Sequence, residues 1–455
     1  MFFSINIPSS LKKSELWQAA SEVIHVLREA GFSAWIVGGA PRDILCNRNP
    51  ADLDIATSAV PDELLKLFPS AIPLGASFGV VVVVVRGLMF DVATYRYERA
   101  YEDGRHPEEV QYTDSPELDV YRRDFTINAM LLDPEQEQIL DYTEGFADLK
   151  KGIVRTVGDP VRRFQEDHLR ILRAVRFASR YRFRLEEKTE AAIRQMGDTL
   201  HKISRERIRD ELEKILLGPD PSMGIRMLAD LGLLAVILPE LDELRGVEQS
   251  PVYHPEGDVF EHTMLMLDHL VSPSLELAWS VLLHDVGKKA VQTFDEQGIP
   301  HFYNHEYVGA EMAEKILTRL HLPRQTIETV VHAVRQHMRF SNVHQMREAK
   351  WKRMMGEKHF LMELELHRVD CLCSNGLLQN YRLMLQRLRQ QGMQTVGQLP
   401  EPLLNGKQIL ACGIPSGPEI GRLLREIQDL QLEGHLKTAE DAVLFLQQKI
   451  NQKKQ

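Results

Sequence analysis

The stretch AWIVGGAPRDILCNRNPADLDIA, residues 34–56, decides the fold of the first third of the chain. It opens with a short apolar run that predicts a strand, followed by Gly38-Gly39, which predict a turn. A segment of helical character comes next, and the alternation DLDI at residues 52–55 predicts a second strand. This order of elements indicates a head that mixes helices with strands.

The second strand carries two carboxylates on one face. Residues two apart in a strand point to the same side, so Asp52 and Asp54 are expected to project together. Adjacent carboxylates repel each other unless a cation bridges them, and their oxygen atoms suit Mg²⁺. Asp91, in the predicted strand LMFDVATY, is a candidate third ligand. Mg²⁺ held by these candidate catalytic aspartates activates an attacking hydroxyl and neutralises a departing pyrophosphate.

The glycines before the helix predict a phosphate site. Gly38 and Gly39 allow the backbone to approach phosphate oxygens, and the amides of the next helix can cradle them. Arg42, in the first turn, adds a charged fork. A lone D-x-D usually lies on a surface, but a strand, Gly-Gly, about a dozen residues and D-x-D in order is more specific. This arrangement resembles the nucleotidyltransferases of the DNA-polymerase-β superfamily.

Composition bounds the class of protein and its surroundings. The 455 residues include four scattered cysteines, too few for a disulfide framework, which indicates a reducing compartment. No apolar run approaches the 18 residues of a membrane span, so a cytoplasmic protein without a membrane partner is expected. The formal charge is −10, yet residues 150–184 hold eleven Lys or Arg against three Asp or Glu. That local excess favours a groove for nucleic-acid phosphates over a merely solvated helix face.

The rest of the chain changes character at about Lys150. Before it, residues 12–30 predict a helix, and the runs at 33–39, 52–56, 80–85 and 88–95 predict strands. After it, nearly every segment has helical periodicity, with breaks at prolines and glycines.

Three further blocks predict a nucleotide pocket. In YRRDFTINAM, residues 121–130, Arg123 and Asp124 are expected near a triphosphate and ribose, with Asn128 as hydrogen-bonding support; alternatively, Asp124 caps a helix. In EDHLRILRAVRFASRYRF, residues 166–183, four side chains are expected to share one helix face at spacing three, namely Asp167, Arg170, Arg173 and Arg176. An Asp with an Arg can match the donors and acceptors of a base edge, whereas the alternative is a solvated salt bridge. RERIRDELEKIL, residues 205–216, predicts a supporting amphipathic helix.

Together these blocks resemble the class II tRNA nucleotidyltransferases and the bacterial poly(A) polymerases. The resemblance implies that protein side chains, not a nucleic-acid template, select CTP or ATP. It also implies that Asp52 and Asp54 hold the Mg²⁺ ions. The nucleotide contacts implied by resemblance are Gly39, Arg42, Arg123, Asp167, Arg170, Arg173 and Arg176.

A second chemistry is predicted in the helical body. The segments DVFEHT, LLHDVGKK and HRVD place His262, His284, Asp285 and Asp370 in the ligand order of the HD superfamily, which they resemble. His305 and His337 are candidate ligands for a second metal. Imidazole with carboxylate suits Mn²⁺, Fe, Ni²⁺ or Zn²⁺, with water as the nucleophile. Activities in that superfamily include removal of 2′,3′-cyclic phosphates or 2′-phosphates from RNA ends. An active hydrolase site and a relic of one both stay open for this chain.

The resemblances imply an α+β fold with four parts. A polymerase-β-like nucleotidyltransferase head with a mixed sheet is expected over residues 1–150, and an all-α neck that binds base and RNA over 151–245. An HD domain is expected over 246–375, and a C-terminal helical tail that binds tRNA over 376–455.

The function expected is template-independent addition of CMP, CMP and AMP to the 3′ end of tRNA from CTP and ATP, with the acceptor arm as partner. The polar segment 95–110 resembles the flexible loop of full CCA-adding enzymes. Residues 74–84 lack the basic block of poly(A) polymerases. Three alternatives stay open: an A-adding-only enzyme or poly(A) polymerase, an HD phosphohydrolase whose head only binds RNA, and a purely RNA-binding protein. No oligomeric state is predicted.

Overall fold

The computed structural model describes residues 1–73, 79–101, 107–250, 254–392 and 396–454. The chain forms two compact units, Met1–Pro239 and Glu240–Gln455. Within the described ranges, no helix has the length and apolar character that crossing a bilayer requires.

The first unit contains eleven described strands. They are β1 (Phe2–Ser4), β2 (Ala34–Val37), β3 (Asp54–Thr57), β4 (Val80–Val85), β5 (Leu88–Thr94), β6 (Arg96–Tyr101), β7 (Pro107–Tyr112), β8 (Leu131–Asp133), β9 (Gln138–Leu140), β10 (Ile153–Val154) and β11 (Arg184–Leu185).

Its helices alternate with these strands and then dominate. They are α1 (Ser9–Lys12), α2 (Glu15–Glu29), α3 (Gly39–Leu45), α4 (Pro61–Leu67), α5 (Pro116–Tyr121), α6 (Gly145–Lys151), α7 (Pro160–Glu166), α8 (Arg170–Tyr181), α9 (Glu187–Met196), α10 (Arg205–Leu216), α11 (Pro221–Asp230) and α12 (Leu234–Ile237). Two 3₁₀ turns lie at Thr126–Asn128 and Gly197–Lys202.

Seven strands form the predicted mixed sheet, in the order β1-β9-β8-β2-β3-β5-β4. β3 and β5 are parallel, with Ile55 opposite Val92, and the other neighbours are antiparallel. Leu53 and Ile55 are buried, as the alternation of residues 52–55 predicts, but β3 begins only at Asp54, so Asp52 precedes the strand. The sheet therefore presents the carboxylates of β3 and β5 on one side.

The segment expected to be a flexible loop is partly regular. Its flanks, β6 and β7, pair as an antiparallel ribbon, and residues 102–106 lie outside the described residues. Residues 74–78, part of the stretch that argued against a poly(A) polymerase, also lie outside them.

The helices that follow the sheet pack around α8. Ser14 caps α2 by accepting the backbone N–H of Trp17, and the amphipathic block 205–216 is α10. The expectation of one continuous helix through residues 167–176 is wrong. α7 ends at Glu166, Asp167 is extended with φ −148° and ψ 106°, and α8 begins only at Arg170. Asp167 accepts the backbone N–H of Leu169 at 3.1 Å, an alternative to helical pairing that ends the first helix.

In the described residues of the second unit, the regular elements are helices and one short hairpin. Its elements are α13 (Pro239–Asp242), which begins at the unit boundary, α14 (Val259–Asp268), α15 (Leu275–Leu283), α16 (Lys288–Val291), β12 (Thr293–Phe294), β13 (Pro300–His301), α17 (His305–Arg319), α18 (Arg324–Gln336), α19 (Glu348–Met355), α20 (Phe360–Cys373), α21 (Gln379–Gln391), α22 (Gly406–Ala411), α23 (Pro418–Leu432) and α24 (Ala439–Lys454). Two 3₁₀ turns lie at His337–Phe340 and Val343–Gln345. α14, α15, α17, α18 and α20 pack together, while α22 to α24 share a separate apolar cluster.

We expect Gly224→Ala to destabilise the first unit by about 2 kcal/mol, the usual cost of overpacking. A Cβ at Gly224 of α11 would lie 2.4 Å from Ile215 of α10 and 3.2 Å from Ser179 of α8. Urea unfolding followed by circular dichroism measures the loss. Gly421→Ala in α23 is the matched control, because a Cβ there meets nothing within 4 Å. Equal effects of the two substitutions would contradict close packing under α8.

Candidate active site and metal centre

The glycine turn and the aspartate strand meet at one point. Gly38 has φ +74°, and a Cβ there would lie 3.0 Å from Oδ2 of Asp54. Both the backbone conformation and the space therefore require glycine. α3 begins directly afterwards and is intact despite Pro41, which lies in its first turn.

The three predicted catalytic aspartates share one side of the sheet. In the parallel pairing of β3 with β5, Asp54 and Asp91 precede the opposed Ile55 and Val92. Burial, together with the negative charges of Asp52 and Asp91, raises the pKa of Asp54 to about 6. This repulsion is what a bound cation relieves, so the residues fit a Mg²⁺ site. Asp52 and Asp54 line the central cavity, whereas Asp91 does not.

Arg42 is a buried residue of the cavity lining, and several side chains contact its guanidinium group. Its Nε and Nη2 donate to Asp43 at 3.1 and 3.0 Å, and its Nη1 donates to Asn128. Its guanidinium lies 4.7 Å from the ring centroid of Tyr181, whose hydroxyl donates to Asp43 at 2.5 Å. Arg42 is therefore fixed in place before any ligand binds.

Asp124 lies at the centre of the polar network. Its carboxylate accepts from Nε of Arg173 at 2.9 Å, from Nδ2 of Asn128 at 3.1 Å and from the backbone N–H of Phe125 at 2.8 Å. Burial alone would raise the pKa of Asp124, but Arg173 outweighs it and lowers the pKa to about 2. The alternative of an α-helix cap is wrong, because only a short 3₁₀ turn follows, from Thr126.

Arg123 reaches the cavity from the end of α5. Nη2 of Arg123 donates to the buried Asp119 at 2.9 Å, and Arg122 donates to the same carboxylate at 2.8 Å. Nε of Arg123 is buried and finds no hydrogen-bond partner among the described residues. A buried donor without a partner points to a ligand acceptor such as a phosphate oxygen.

The predicted base-reading pair is positioned by two neighbours. Arg207 of α10 donates to both oxygens of Asp167, at 3.1 and 2.9 Å. Glu166 accepts from Nη1 of Arg170 at 2.8 Å. Arg176 is held in the same way by Glu211, at 2.6 Å.

One open cavity of about 600 Å³ joins these groups. It is lined by every predicted nucleotide-binding residue and by both predicted Mg²⁺ ligands. Sequence reasoning missed the following lining residues: Asp43, Asn49, Ala51, Arg122, Leu169, Phe177, Arg180 and Arg207. Arg207 lies in the block predicted as pocket support, and its helix spacing gave no sign of which arginine faces Asp167. Eight arginines against five aspartates leave the cavity positive, as a triphosphate requires.

The predicted HD residues form a second, separate cluster within the unit Glu240–Gln455. Nδ1 of His284 donates to the carbonyl of Val281 at 2.8 Å, and Nδ1 of His337 donates to Val334 at 2.6 Å. Nδ1 of His305 likewise donates to a backbone carbonyl at 2.8 Å. A carbonyl can only accept, so Nδ1 carries a proton and, in the neutral imidazole, Nε2 has the lone pair that could bind a metal.

These lone pairs converge on shared carboxylates. Nε2 of His305 lies 3.1 Å from Nε2 of His337 and 3.3 Å from Oδ1 of Asp285. Nε2 of His262 lies 3.3 Å from Oδ1 of Asp370. Two groups of close ligand atoms share Asp285: His262, His284 and Asp285, and Asp285, His305 and His337. Facing imidazole lone pairs need a proton or a cation between them, so this set of nitrogen and carboxylate donors would fit a transition metal.

The fold and the first site define a nucleotidyltransferase. Three family models match the chain: the Poly A polymerase head domain over residues 34–155, the probable RNA and SrmB-binding site of polymerase A over 182–245, and the HD domain over 259–365. The CCA-adding enzyme of Lactobacillus helveticus is 30% identical over 438 residues, covering 95% of this chain and 97% of that protein. The chain belongs to the family of the CCA-adding enzymes.

Two further relatives support the match. The CCA-adding enzyme of Anoxybacillus flavithermus is 45% identical over 228 residues, covering 50% of this chain and 57% of its own length. The crystal structure of the Bacillus stearothermophilus CCA-adding enzyme in complex with CTP is 27% identical, with a TM-score of 0.75. The match covers 97% of this chain and 99% of that chain. The α+β fold with its head, neck and HD domain is thereby confirmed.

We expect Asp124→Asn to reduce the free energy of unfolding at pH 7 by about 2–3 kcal/mol. It leaves Arg173 uncompensated, although about a third of that side chain reaches solvent. The pKa of Asp124 is depressed in the folded state, so its contribution is present above about pH 4 and is lost as the pH falls towards 2. Urea unfolding at pH 7 and pH 3 should show the difference between the proteins shrinking in acid.

The matched control is Asp210→Asn, whose carboxylate pairs with Arg209 on the solvent side of α10. An exposed pair contributes about 0–1 kcal/mol. A loss at Asp124 no larger than at Asp210 would contradict the central role of the Asp124–Arg173 pair.

Proposed function

We propose that this chain adds CMP, CMP and AMP in turn to the 3′ end of tRNA, using CTP and ATP and no nucleic-acid template. The tRNA 3′-hydroxyl attacks the α-phosphate, a new phosphodiester bond forms, and the bond to the leaving pyrophosphate breaks. The observation that carries the proposal is the single cavity in which an aspartate pair faces a ring of arginines. Membership of the CCA-adding family supports it.

The phosphate end of the nucleotide binds between the glycine turn and the arginines. Gly38 and Gly39 leave room for phosphate oxygens beside Asp54, and Arg123 offers its unpartnered Nε. Asp52 and Asp54, with Asp91 beside them, are proposed to hold Mg²⁺. Mg²⁺ bound there neutralises the triphosphate and favours ionisation of the attacking hydroxyl.

The base is proposed to be read by Asp167 and Arg170. A carboxylate accepts hydrogen bonds and a guanidinium donates them, so the pair matches the edge of cytosine or adenine. Arg207 and Glu166 hold these two side chains. Because both are held by other protein groups, selection does not need a template strand.

We propose that the four predicted parts of the chain have different tasks. The head, residues 1–150, performs the transfer, and the neck, residues 151–245, reads the base. The HD domain, 246–375, carries the second site, and the tail, 376–455, binds the tRNA.

All four cysteines are free, in keeping with the predicted reducing, cytoplasmic location.

A second candidate function is hydrolysis of phosphate esters at RNA ends by the HD cluster. The observation that favours it is a set of three histidines. Each donates a hydrogen bond from Nδ1 to a backbone carbonyl, and their Nε2 atoms lie near one another. Mn²⁺, Ni²⁺, Fe or Zn²⁺ bound there supplies Lewis acidity and an activated water. Water adds to phosphorus, the P–O bond to the ribose oxygen breaks, and that oxygen leaves with a proton.

We expect the full chain to add C, C and A to a tRNA that ends before CCA, and A to a tRNA that ends in CC. Asp52→Ala with Asp54→Ala should reduce incorporation by about 10³-fold, because several kcal/mol of charge stabilisation are lost. Radiolabelled CTP and ATP, supplied singly and together, measure the products. Asp62→Ala, on the exposed side of α4, is the control.

Other products would replace the proposal with its alternatives. Addition of A alone would identify an A-adding enzyme, and long A-tails on an unrelated RNA would identify a poly(A) polymerase. If the double aspartate variant incorporates nucleotides as well as the wild type, Asp52 and Asp54 do not hold the catalytic Mg²⁺.

We expect His284→Ala to abolish binding of Mn²⁺ or Ni²⁺ by chelated and reloaded protein, measured as bound metal per chain. Hydrolysis of a nucleoside 2′,3′-cyclic phosphate should fall by at least about 100-fold, because a metal ligand is lost. CCA addition should not change. The exposed His344, in the turn Val343–Gln345, gives the matched control His344→Ala. Metal binding that survives His284→Ala would contradict the site.

A further inference from the structure

The HD cluster lies in a cavity of about 640 Å³, much larger than a phosphate group needs. Asp285, His305, His337 and Asp370 line it on one side. Its remaining wall is largely apolar, with Ile299, Phe302, Tyr303, Met338 and Leu377. A cavity of this size and lining fits an organic ligand that carries a phosphate, not a free phosphate.

Tyr303 stands out in this wall because 71% of it is exposed. Its ring lies parallel to the imidazole of His301, with 8° between the planes and 5.4 Å between the centroids. The two rings are therefore offset-stacked. Most of the tyrosine surface still faces solvent and is open to a second flat group.

His301 is itself held by the hairpin of β12 and β13. Its Nε2 lies 3.3 Å from Oδ2 of Asp295, whose Oδ1 accepts the backbone N–H groups of Gln297 and Ile299 at 2.9 and 2.8 Å. This turn fixes the imidazole, and the imidazole in turn orients Tyr303. The tyrosine is thus a prearranged flat surface at the cavity wall.

A buried cation lies in the same cavity. Lys288 is 6% exposed, and its Nζ donates to Asp285 at 2.7 Å and to Gln249 at 2.6 Å. Nζ also lies 5.4 Å from the ring centroid of Phe302, the residue before Tyr303. The same cavity is therefore lined by the ammonium group of Lys288 beside Asp285 and by the aromatic ring of Tyr303.

We propose that this cavity binds a nucleoside phosphate, with Tyr303 as the stacking surface for its base. The phosphate lies at the histidine cluster beside Lys288, and the base lies on the Tyr303 ring. This inference rests on the proposed hydrolase function only for the hydrolysis of the phosphate ester. The base contact stands on the geometry of Tyr303 and His301.

The test compares two esters on the full, Mn²⁺-loaded chain. One is a nucleoside 2′,3′-cyclic phosphate and the other is glycerol cyclic phosphate, which has no base. Tyr303→Ala should raise KM for the nucleotide by about 5- to 100-fold, the usual effect of losing one base–aromatic stack. It should leave the base-free ester unchanged, and Tyr303→Phe should retain wild-type KM.

A binding readout keeps the test independent of hydrolysis. The fluorescence of 2-aminopurine riboside monophosphate should be quenched on stacking, with and without metal, and Tyr303→Ala should lose that part of the quench. Tyr307→Ala is the matched control, since this tyrosine is 54% exposed but does not line the cavity. CCA addition by each variant confirms that the chain is folded.

The outcomes separate the two proposals. A chain that hydrolyses neither ester but loses quenching with Tyr303→Ala disproves the hydrolase and retains the base surface. Hydrolysis and quenching that are unchanged by Tyr303→Ala disprove the base surface and retain the hydrolase. Equal losses on both esters, or the same losses with Tyr307→Ala, also overturn the base surface.

Discussion

The ion pair between Asp124 and Arg173 is the interaction on which the first unit depends. Asp124 lies between α5 and β8, in the part of the chain that forms the sheet, whereas Arg173 lies on α8 among the helices. Their contacts at 2.9 and 2.5 Å join the two parts across the nucleotide cavity. Asn128 and the backbone of Phe125 complete the carboxylate's hydrogen bonds. The pair is stabilised because the carboxylate of Asp124 accepts these further hydrogen bonds, while part of Arg173 reaches solvent.

The same arrangement repeats around the cavity. Arg123, Arg170 and Arg176 are each held by a buried acid, namely Asp119, Glu166 and Glu211. These three acids orient the guanidinium groups in advance, and they lie outside the cavity lining, where the arginines outnumber the aspartates. Guanidinium groups held in this way can bind an anionic ligand without the free-energy cost of gathering flexible side chains. Phe177 adds to this order, since Arg42, Arg173 and Arg176 lie 5.1, 5.4 and 4.3 Å from its ring centroid.

Much of this could be predicted from the sequence because it depends on local periodicity. The apolar strands β2 to β5, of four to seven residues, and the alternation of residues 52–55 have patterns that can be recognised in the sequence. The strands β1, β8 and β9 have three residues each, too few for a period to be visible. The break at Asp167 was missed because spacing three continues across it, so only the backbone turn separates Asp167 from α8. Partners such as Arg207 depend on which helices meet, and no local pattern encodes that.

The histidine cluster shows how a helix end can create a metal site. His284 follows α15, His337 follows α18, and each donates Nδ1–H to the carbonyl three residues earlier. The last carbonyls of a helix have no partner within the helix, so this bond satisfies one of them. It also fixes the tautomer, because the proton must stay on Nδ1 and the lone pair must stay on Nε2. Burial lowers the pKa of His337 to about 3, so its Nε2 remains unprotonated at neutral pH. His284 and Asp285 therefore follow an apolar helix for two reasons. The histidine satisfies a carbonyl at the helix end, and its other nitrogen remains available as a metal ligand.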